Sequence, residues 1–343
     1  MPHMSKLTFG YLFDFRNPRP WPHDCQREWA QLYADLLDQI VWTEQAGFAA
    51  AWVPEHHGAA DGYLPSPIPV LAAIAARTSR IRIGSAIALA PLYHPVRFAE
   101  DCAVLDILSG GRIEMALAIG YRRSEYESYG LDFTRRGSRF DEFLQIVKAL
   151  WAGETVDFAG QHFTLKGAKL CPPALRGRVP LHIGGFADKA MARVAKYADG
   201  YFGNEEVCGL YIDKLKALGR NPAEARILIQ LLFTVVASDP AAALEELAPY
   251  YHYVNNVYGE WLAEDRAIGL DDTQLEVMSL EAFKASGILQ ILTPEQAVAK
   301  FRRMQDRMPA LEHVMLMCPP GLPADRFRHY ARLFADEVMP AFA

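Results

Sequence analysis

Eight short apolar runs, each halted by glycine, proline or polar residues, constrain this chain more than any other feature. They are Leu7 to Phe13, Phe48 to Val53, Ile81 to Leu89, Ile113 to Ile119, Val179 to Ile183, Tyr201 to Asn204, Arg226 to Val236 and Glu312 to Met317. Most are close to continuously apolar, as a strand covered on both faces must be, and stretches of helical periodicity separate them. Strand, rim loop, helix and tight return recur at intervals of about 30 to 40 residues through the first half of the chain. Parallel strands joined by crossover helices follow, and the economical closed form is an α/β fold, the (β/α)8 TIM barrel. The sequence predicts a single barrel domain over residues 1–343 with insertions near 120–137, 153–178 and 241–290. A doubly wound sheet is the alternative, but no GxGxxG follows the first run. A Walker A loop and a GxSxG elbow are absent as well.

Local signals place the helices. Asp24 is positioned to cap the first, whose Trp29, Leu32, Tyr33, Leu36 and Ile40 share a face, and Gly47 stops it. Ser138 to Trp151 carries Phe140, Phe143, Leu144 and Val147 on one side, and Val156 to Leu165 reads as a small hairpin turning at Ala159-Gly160. Thr293 and Pro294 read as the N-cap and first residue of a late helix. Ala241 to Gly287, with Tyr250, Tyr251, Tyr253, Tyr258, Trp261 and an acidic stretch at Asp271-Asp272, is the least regular region.

Lys and Arg number 35 against 41 Asp and Glu, with no basic block, which argues against nucleic acid or anionic membrane as a partner. No apolar run is long enough to span a bilayer and no secretory leader is recognisable, so a cytoplasmic location is expected. Cys25, Cys102, Cys171, Cys208 and Cys318 are scattered without a CxxC pair, which reads as reduced thiols.

Chemistry concentrates where the second run ends, in Ala51-Trp52-Val53-Pro54-Glu55-His56-His57. In a barrel of this kind the C-terminal ends of the strands face the active site. A lone histidine there would read as a satisfied core group, but two adjacent imidazoles behind a stiffening proline favour an acid–base role. Neighbouring residues of an extended chain point oppositely, so one of the two is expected to face the cavity. Metal catalysis is disfavoured, because the later strand ends offer only His94 and His162 as further ligands. Gly184-Gly185 opens a helix after a strand, where backbone amides and the helix dipole suit an anion; the same pair also marks a plain tight turn. Ser85-Ala86-Ile87-Ala88 offers small residues against which a flat ring could lie, or ordinary core packing. Tyr121 to Tyr126 reads as a rim loop closed by an ion pair.

Taken together these segments resemble the bacterial luciferase-like flavin-dependent monooxygenases. The resemblance is carried by Trp52 to His57, His94 to Asp101, Leu108 to Arg112, Gly120-Tyr121 with Glu125-Tyr126, Arg135 to Gly160, Ile183-Gly184-Gly185 and Asp199-Gly200. It implies a barrel that binds reduced FMN, supplied by a separate reductase, and uses O2 to oxygenate a small organic substrate. His56 matches the family's active-site histidine, with Glu55 holding or tuning it. Ala86 and Ile87 match a non-prolyl cis bond under the flavin ring, Ala118, Gly120 and Tyr121 match contacts after the fourth strand, and Gly184, Gly185 and Phe186 match the phosphate turn. Relatives often carry Ser or Thr after that glycine pair. Here Phe186-Ala187-Asp188-Lys189 follows, so Lys189, backbone amides and Arg122 or Arg123 must supply donors, and an Asp188 cap would repel a phosphate.

Two alternatives accompany this reading: hydride transfer with the deazaflavin F420, and a non-catalytic flavin-binding protein of the same fold. The resemblance also implies a homodimer through the second and third helices, which carry Val70, Leu71, Ile74 and Val104. Tyr11, Phe13, Trp52 and Tyr121 are expected to wall an apolar pocket, with residues 241–287 as its lid.

Overall fold

The near-continuous apolar runs become strands of a closed parallel barrel. The computed structural model describes residues 6–18, 27–267 and 275–343; Asp24, Cys25 and Asp271-Asp272 lie outside them. The barrel begins with β1 (Thr8–Phe13), β2 (Ala50–Val53), β3 (Arg82–Leu89) and β4 (Ile113–Ala118). An antiparallel hairpin, β5 (Val156–Ala159) and β6 (Thr164–Ala168), interrupts it, and it resumes with β7 (Leu181–Ile183), β8 (Gly200–Gly203) and β9 (Ile227–Gln230). Outside the barrel β10 (Thr234–Val236) pairs with β11 (Gln290–Leu292), and β12 (Leu311–Cys318) then closes the ring against β1. The helices are α1 (Trp29–Gln45), α2 (Pro67–Arg77), α3 (Pro95–Ser109), α4 (Arg123–Ser128), α5 (Arg136–Trp151), α6 (Asp188–Tyr197), α7 (Cys208–Ala217), α8 (Pro240–Ala267), α9 (Leu280–Ser286), α10 (Pro294–Arg307) and α11 (Ala324–Glu337). Thr293 caps α10 in a reciprocal box with Gln296. None of the helices among the described residues is long and apolar enough to cross a membrane.

Two expectations are corrected by this arrangement. Arg226 to Val236 is not one strand. β9 stays in the barrel, the chain turns at Leu231 to Phe233, and β10 leaves to meet β11. Nor are the described residues of 241–287 irregular: 241–267 belong to the 28-residue helix α8, which continues through Pro249, and α9 follows.

Alternation along β1 sorts its side chains. Phe9 meets Phe301 and Phe334, and Tyr11 meets Phe48 and Phe327, so Phe9, Tyr11 and Phe13 pack outward under the helices. Tyr11 and Phe13 therefore do not wall a central pocket. Leu12 and Trp52 face inward with Ala116, Phe202, Leu228 and Met315. Trp52 fills the barrel interior: its ring meets Phe202 of β8 (centroids 5.0 Å), and its indole Nε1 donates to His313 Nε2 of β12, two strands away (3.0 Å). Gly84 makes that possible, since a Cβ there would lie 2.6 Å from the indole and 2.0 Å from Glu114 O.

Below Trp52 the barrel floor is ionic. Glu114, almost fully buried, receives Arg82 Nη1 at 2.9 Å and faces His182 Nε2 at 3.4 Å and Arg226 Nη2 at 3.8 Å. Arg226 also forks onto Glu312 at 2.9 and 2.5 Å. Two guanidinium and two carboxylate groups thus balance around Glu114, while Arg82, Arg226 and Glu312 keep part of their surface in solvent.

β3 carries the one irregularity that shapes the mouth. Its register with β4 slips between Ser85 and Ala88, leaving Ala86 and Ile87 in a bulge, and the Ala86–Ile87 peptide is cis. Ser85 fills the interrupted ladder: its Oγ donates to Ala116 O (2.8 Å) and accepts from Ala116 N (3.1 Å). Ser85→Ala strands two buried backbone groups, and urea unfolding is expected to show a loss of about 1–3 kcal/mol.

Candidate active site

The C-terminal ends of β2, β3, β4 and β7 open on the same side of the barrel. Beyond β2, Pro54 directs the chain so that Glu55 and His56 turn different ways. Glu55 is buried, and its carboxylate is fully engaged: Oε2 accepts from Leu89 N (2.7 Å), and Oε1 accepts from Tyr93 OH (2.8 Å) and His57 Nε2 (3.0 Å). It ties the β2 rim to the end of β3. His57 completes the brace, its Nδ1 accepting from Tyr129 OH (3.2 Å).

His56 points the other way and is 8% exposed. Its Nδ1 donates to Glu125 Oε1 (2.9 Å), on the first turn of α4. The same oxygen accepts from His57 N (3.0 Å) and faces Arg122 Nη1 at 3.4 Å, while that nitrogen donates to His57 O at 3.0 Å. Burial, the largest influence on Glu125, works to raise its pKa, but the hydrogen bonds from His56 and His57 N and the Arg122 charge together hold it below the usual carboxylate range. An ionised Glu125 is an acceptor only, which puts the imidazole proton on Nδ1 and leaves Nε2 as a lone pair. For His56 itself burial dominates and lowers the pKa, Arg122 and Arg16 add to that, and Glu125 opposes it. The imidazole is a neutral base held in one tautomer.

Aromatic rings enclose it. Tyr63, Trp261, Tyr121 and Tyr258 lie with centroids 4.8, 5.0, 5.8 and 6.1 Å from the imidazole. Tyr258 and Trp261 come from α8, which crosses the mouth and is fastened there: Tyr63 and Tyr258 hydroxyls share a hydrogen bond (2.7 Å), and Tyr253 OH donates to Asp61 Oδ2 (2.7 Å). The Arg122 guanidinium lies 4.0 Å from the Trp261 ring centroid.

The remaining sequence candidates follow β3, β4 and β7 at the same end of the barrel. Ile87 reaches from the bulge to Gly184, where an added Cβ would come within 2.4 Å of Ile87 Cδ1 and 3.0 Å of Phe202 O, so Ile87 would have to shift. Ala118 ends β4 opposite Leu89, and Gly120 (φ 71°) packs on Leu89 and Tyr126, whose hydroxyl donates to Ile119 O. Gly184 N donates to Leu117 O (2.9 Å), Gly185 takes φ 141°, and α6 starts with Ala187 as its N-cap. Phe186 and Lys189 are exposed there. Asp188 is not the cap, and its carboxylate pairs with Lys214 at 2.6 Å. Arg122 is committed to His57, Glu125 and Trp261, so it is not available to that turn.

Glu125 is the site residue that sequence alone does not single out: it stands in a polar rim loop, and its partner His56 is 69 positions away.

Comparisons with known proteins agree on the kind of molecule this resembles. Residues 8–310 match the family model described as luciferase-like monooxygenase. The oxygenase component of flavin-dependent trigonelline monooxygenase from Acinetobacter baylyi is 26% identical over 342 residues, 93% of this chain and 92% of that one. F420-dependent glucose-6-phosphate dehydrogenase from Amycolatopsis mediterranei is 27% identical over 333 residues, 89% and 93% of the two chains. The crystal structure of monooxygenase RslO1 from Streptomyces bottropensis shares the fold, with a TM-score of 0.81 at 22% identity, covering 98% of this chain and 100% of that one.

Proposed function

The chain belongs to the luciferase-like monooxygenase family, and on that premise we propose that it is the oxygenating component of a two-component system. It takes reduced FMN from a separate reductase and uses O2 to oxygenate a small organic substrate. The observation that carries this reading is the His56–Glu125 pair, buried under aromatic rings past the end of β2, the strand that pairs with the bulged β3.

The residues at the mouth fit a flavin. Ala86, Ile87, Ala118 and Gly120 offer small or backbone surfaces for a flat ring, with Tyr121 at its edge. Gly184, Gly185 and the backbone of Phe186 lead into the first turn of α6, whose free amides and dipole suit a phosphate, with Lys189 adding charge. Asp188 does not oppose it, being neutralised by Lys214. Bound FMN would supply the redox chemistry with oxygen. The protein's part is to exclude water with α8 and to move a proton at His56 Nε2, while Glu125 steadies the imidazolium that forms. Glu55 acts as a brace for this loop. α8 is read as a lid, since Tyr258 and Trp261 must move to admit a substrate.

Hydride transfer with F420 remains the second reading, supported by relatives such as the Amycolatopsis dehydrogenase. Titration of the protein with FMN and F420 in parallel separates the two.

We also read the chain as a homodimer. Val70, Leu71 and Ile74 of α2 are spent inside the chain, so the surface available to a second copy is on α3, where Val104, Ile107 and Leu108 are 45, 39 and 59% exposed. Leu108→Glu is expected to convert dimer to monomer, read by light scattering on a sizing column; an unchanged mass would remove α3 from the interface.

A further inference from the structure

Arg16 lies three residues beyond β1 and is buried to 1% exposure, with its guanidinium 4.2 Å from the Tyr63 ring centroid and 5.8 and 5.9 Å from those of Tyr258 and Tyr253. Tyr63 and Tyr258 are also two of the four rings around His56. A guanidinium has five N–H donors, and burying them without acceptors is costly. Here Nε donates to Asp14 Oδ2 (2.9 Å), Nη2 lies beside the same oxygen without hydrogen-bond alignment, and Nη1 has only Asp61 Oδ2 at 3.9 Å. Asp61 is already occupied by Tyr253 OH and Tyr63 N. Phe15 adopts a left-handed backbone (φ 59°), a conformation a bulky side chain avoids, and this turns the chain between Asp14 and Arg16 at the mouth.

We propose that Arg16 is a specificity-determining residue: it takes the carboxylate of a flat, unsaturated acid that enters the ring enclosure over His56 when α8 lifts. The inference rests on the reading of this mouth as a substrate site. In the closed state Tyr253 and Tyr258 of α8 cover the faces of Arg16, and lifting the helix bares Nη1 and Nη2, a fork that matches a carboxylate. The aromatic rings select a planar body, and the guanidinium selects its acid group. Asp14 accommodates the added negative charge, because burial, outweighing the opposing pull of Arg16, already biases its carboxyl towards the protonated form.

Calorimetric titration of the full chain, flavin-free and FMN-saturated, with benzoate, neutral benzamide and non-planar cyclohexanecarboxylate tests this. The parent is expected to bind benzoate at least about tenfold more tightly than benzamide, within the range of a hydrogen bond to a charged group, and more tightly than cyclohexanecarboxylate. Arg16→Gln abolishes the preference for the acid. Asp14→Asn/Arg16→Gln, which removes both charges together, gives the same result should the single variant fold poorly, with circular dichroism reporting folding. Equal affinity of the parent for benzoate and benzamide, no saturable benzoate binding, or a preference that survives in either variant overturns the proposal. FMN affinity is measured on the same samples. Benzoate selectivity without FMN binding would sink the flavin reading alone, and FMN binding without benzoate selectivity would sink this one alone.

Discussion

His56→Ala is expected to lower substrate oxygenation by about 100- to 10,000-fold, the range that a positioned acid or base contributes, with little change in FMN affinity. The measurement is product formed in an assay coupled to a flavin reductase and NADH. Glu125→Gln takes away the carboxylate that fixes the tautomer, and its signature lies in pH dependence. In the parent the neutral base persists below the ordinary histidine value of about 6.5, because burial outweighs Glu125. The acid limb of the rate profile therefore falls below that value. Of the charged groups acting on His56, Glu125 raises its pKa while Arg122 and Arg16 lower it. Glu125→Gln should move the titration further to acid, readable on labelled His56 by NMR; an unchanged or upward shift would contradict the pairing. Stability carries the matching sign. As pH drops from about 6.5 towards the folded value, the unfolded chain takes up the proton first, and His56 destabilises the fold in that window.

The largest stability effect is expected at the opposite end of the barrel. Glu114→Gln leaves Arg82 without its counter-ion and Arg226 with Glu312 alone; both arginines keep part of their surface in solvent, so the loss is expected below the range for a fully buried pair, about 2–3 kcal/mol. Urea unfolding checks it, and a loss below about 1 kcal/mol, the size of a surface pair, would mean that the floor is solvated. Burial works to raise the Glu114 pKa, but His182, Arg82 and Arg226 overcome it and hold the carboxyl far below its ordinary range. Its stabilisation is complete above the unfolded carboxylate value and is lost as pH falls through the lower folded one.

What the chain disclosed of itself in advance follows from how local each signal is. Buried parallel strands need continuous apolar runs, and helix starts need caps, so the barrel and the Thr293 cap were legible. The same continuity hid the break at Leu231 to Phe233, where only Gln230 and Thr234 interrupt an apolar run and no glycine or proline marks the turn. It also hid direction: a strand apolar on both faces does not reveal that Leu12 points in while Tyr11 and Phe13 point out. Pro249 and crowded tyrosines obscured α8, although Val254, Tyr258 and Trp261 keep helical spacing. In the site, Glu55 and His56 were legible as titratable groups at a rim, but their division of labour was not. It depends on Leu89 N and Glu125, which no sequence neighbourhood connects to them. Arg16 gave no signal, because an arginine before Asn17-Pro18 reads as a surface residue until its burial is seen.

FMN is expected to bind at this mouth over the β3 bulge, with His56 as the base beside it. The most direct test is an anaerobic titration of the parent chain with reduced FMN and, separately, with reduced F420, repeated on Gly184→Ala, whose added methyl would displace Ile87 from its place at the bulge. Saturable 1:1 binding of FMN, tighter than that of F420 and weakened in Gly184→Ala, is the expected result. Preference for F420, or FMN binding that ignores the Gly184 substitution, would contradict it.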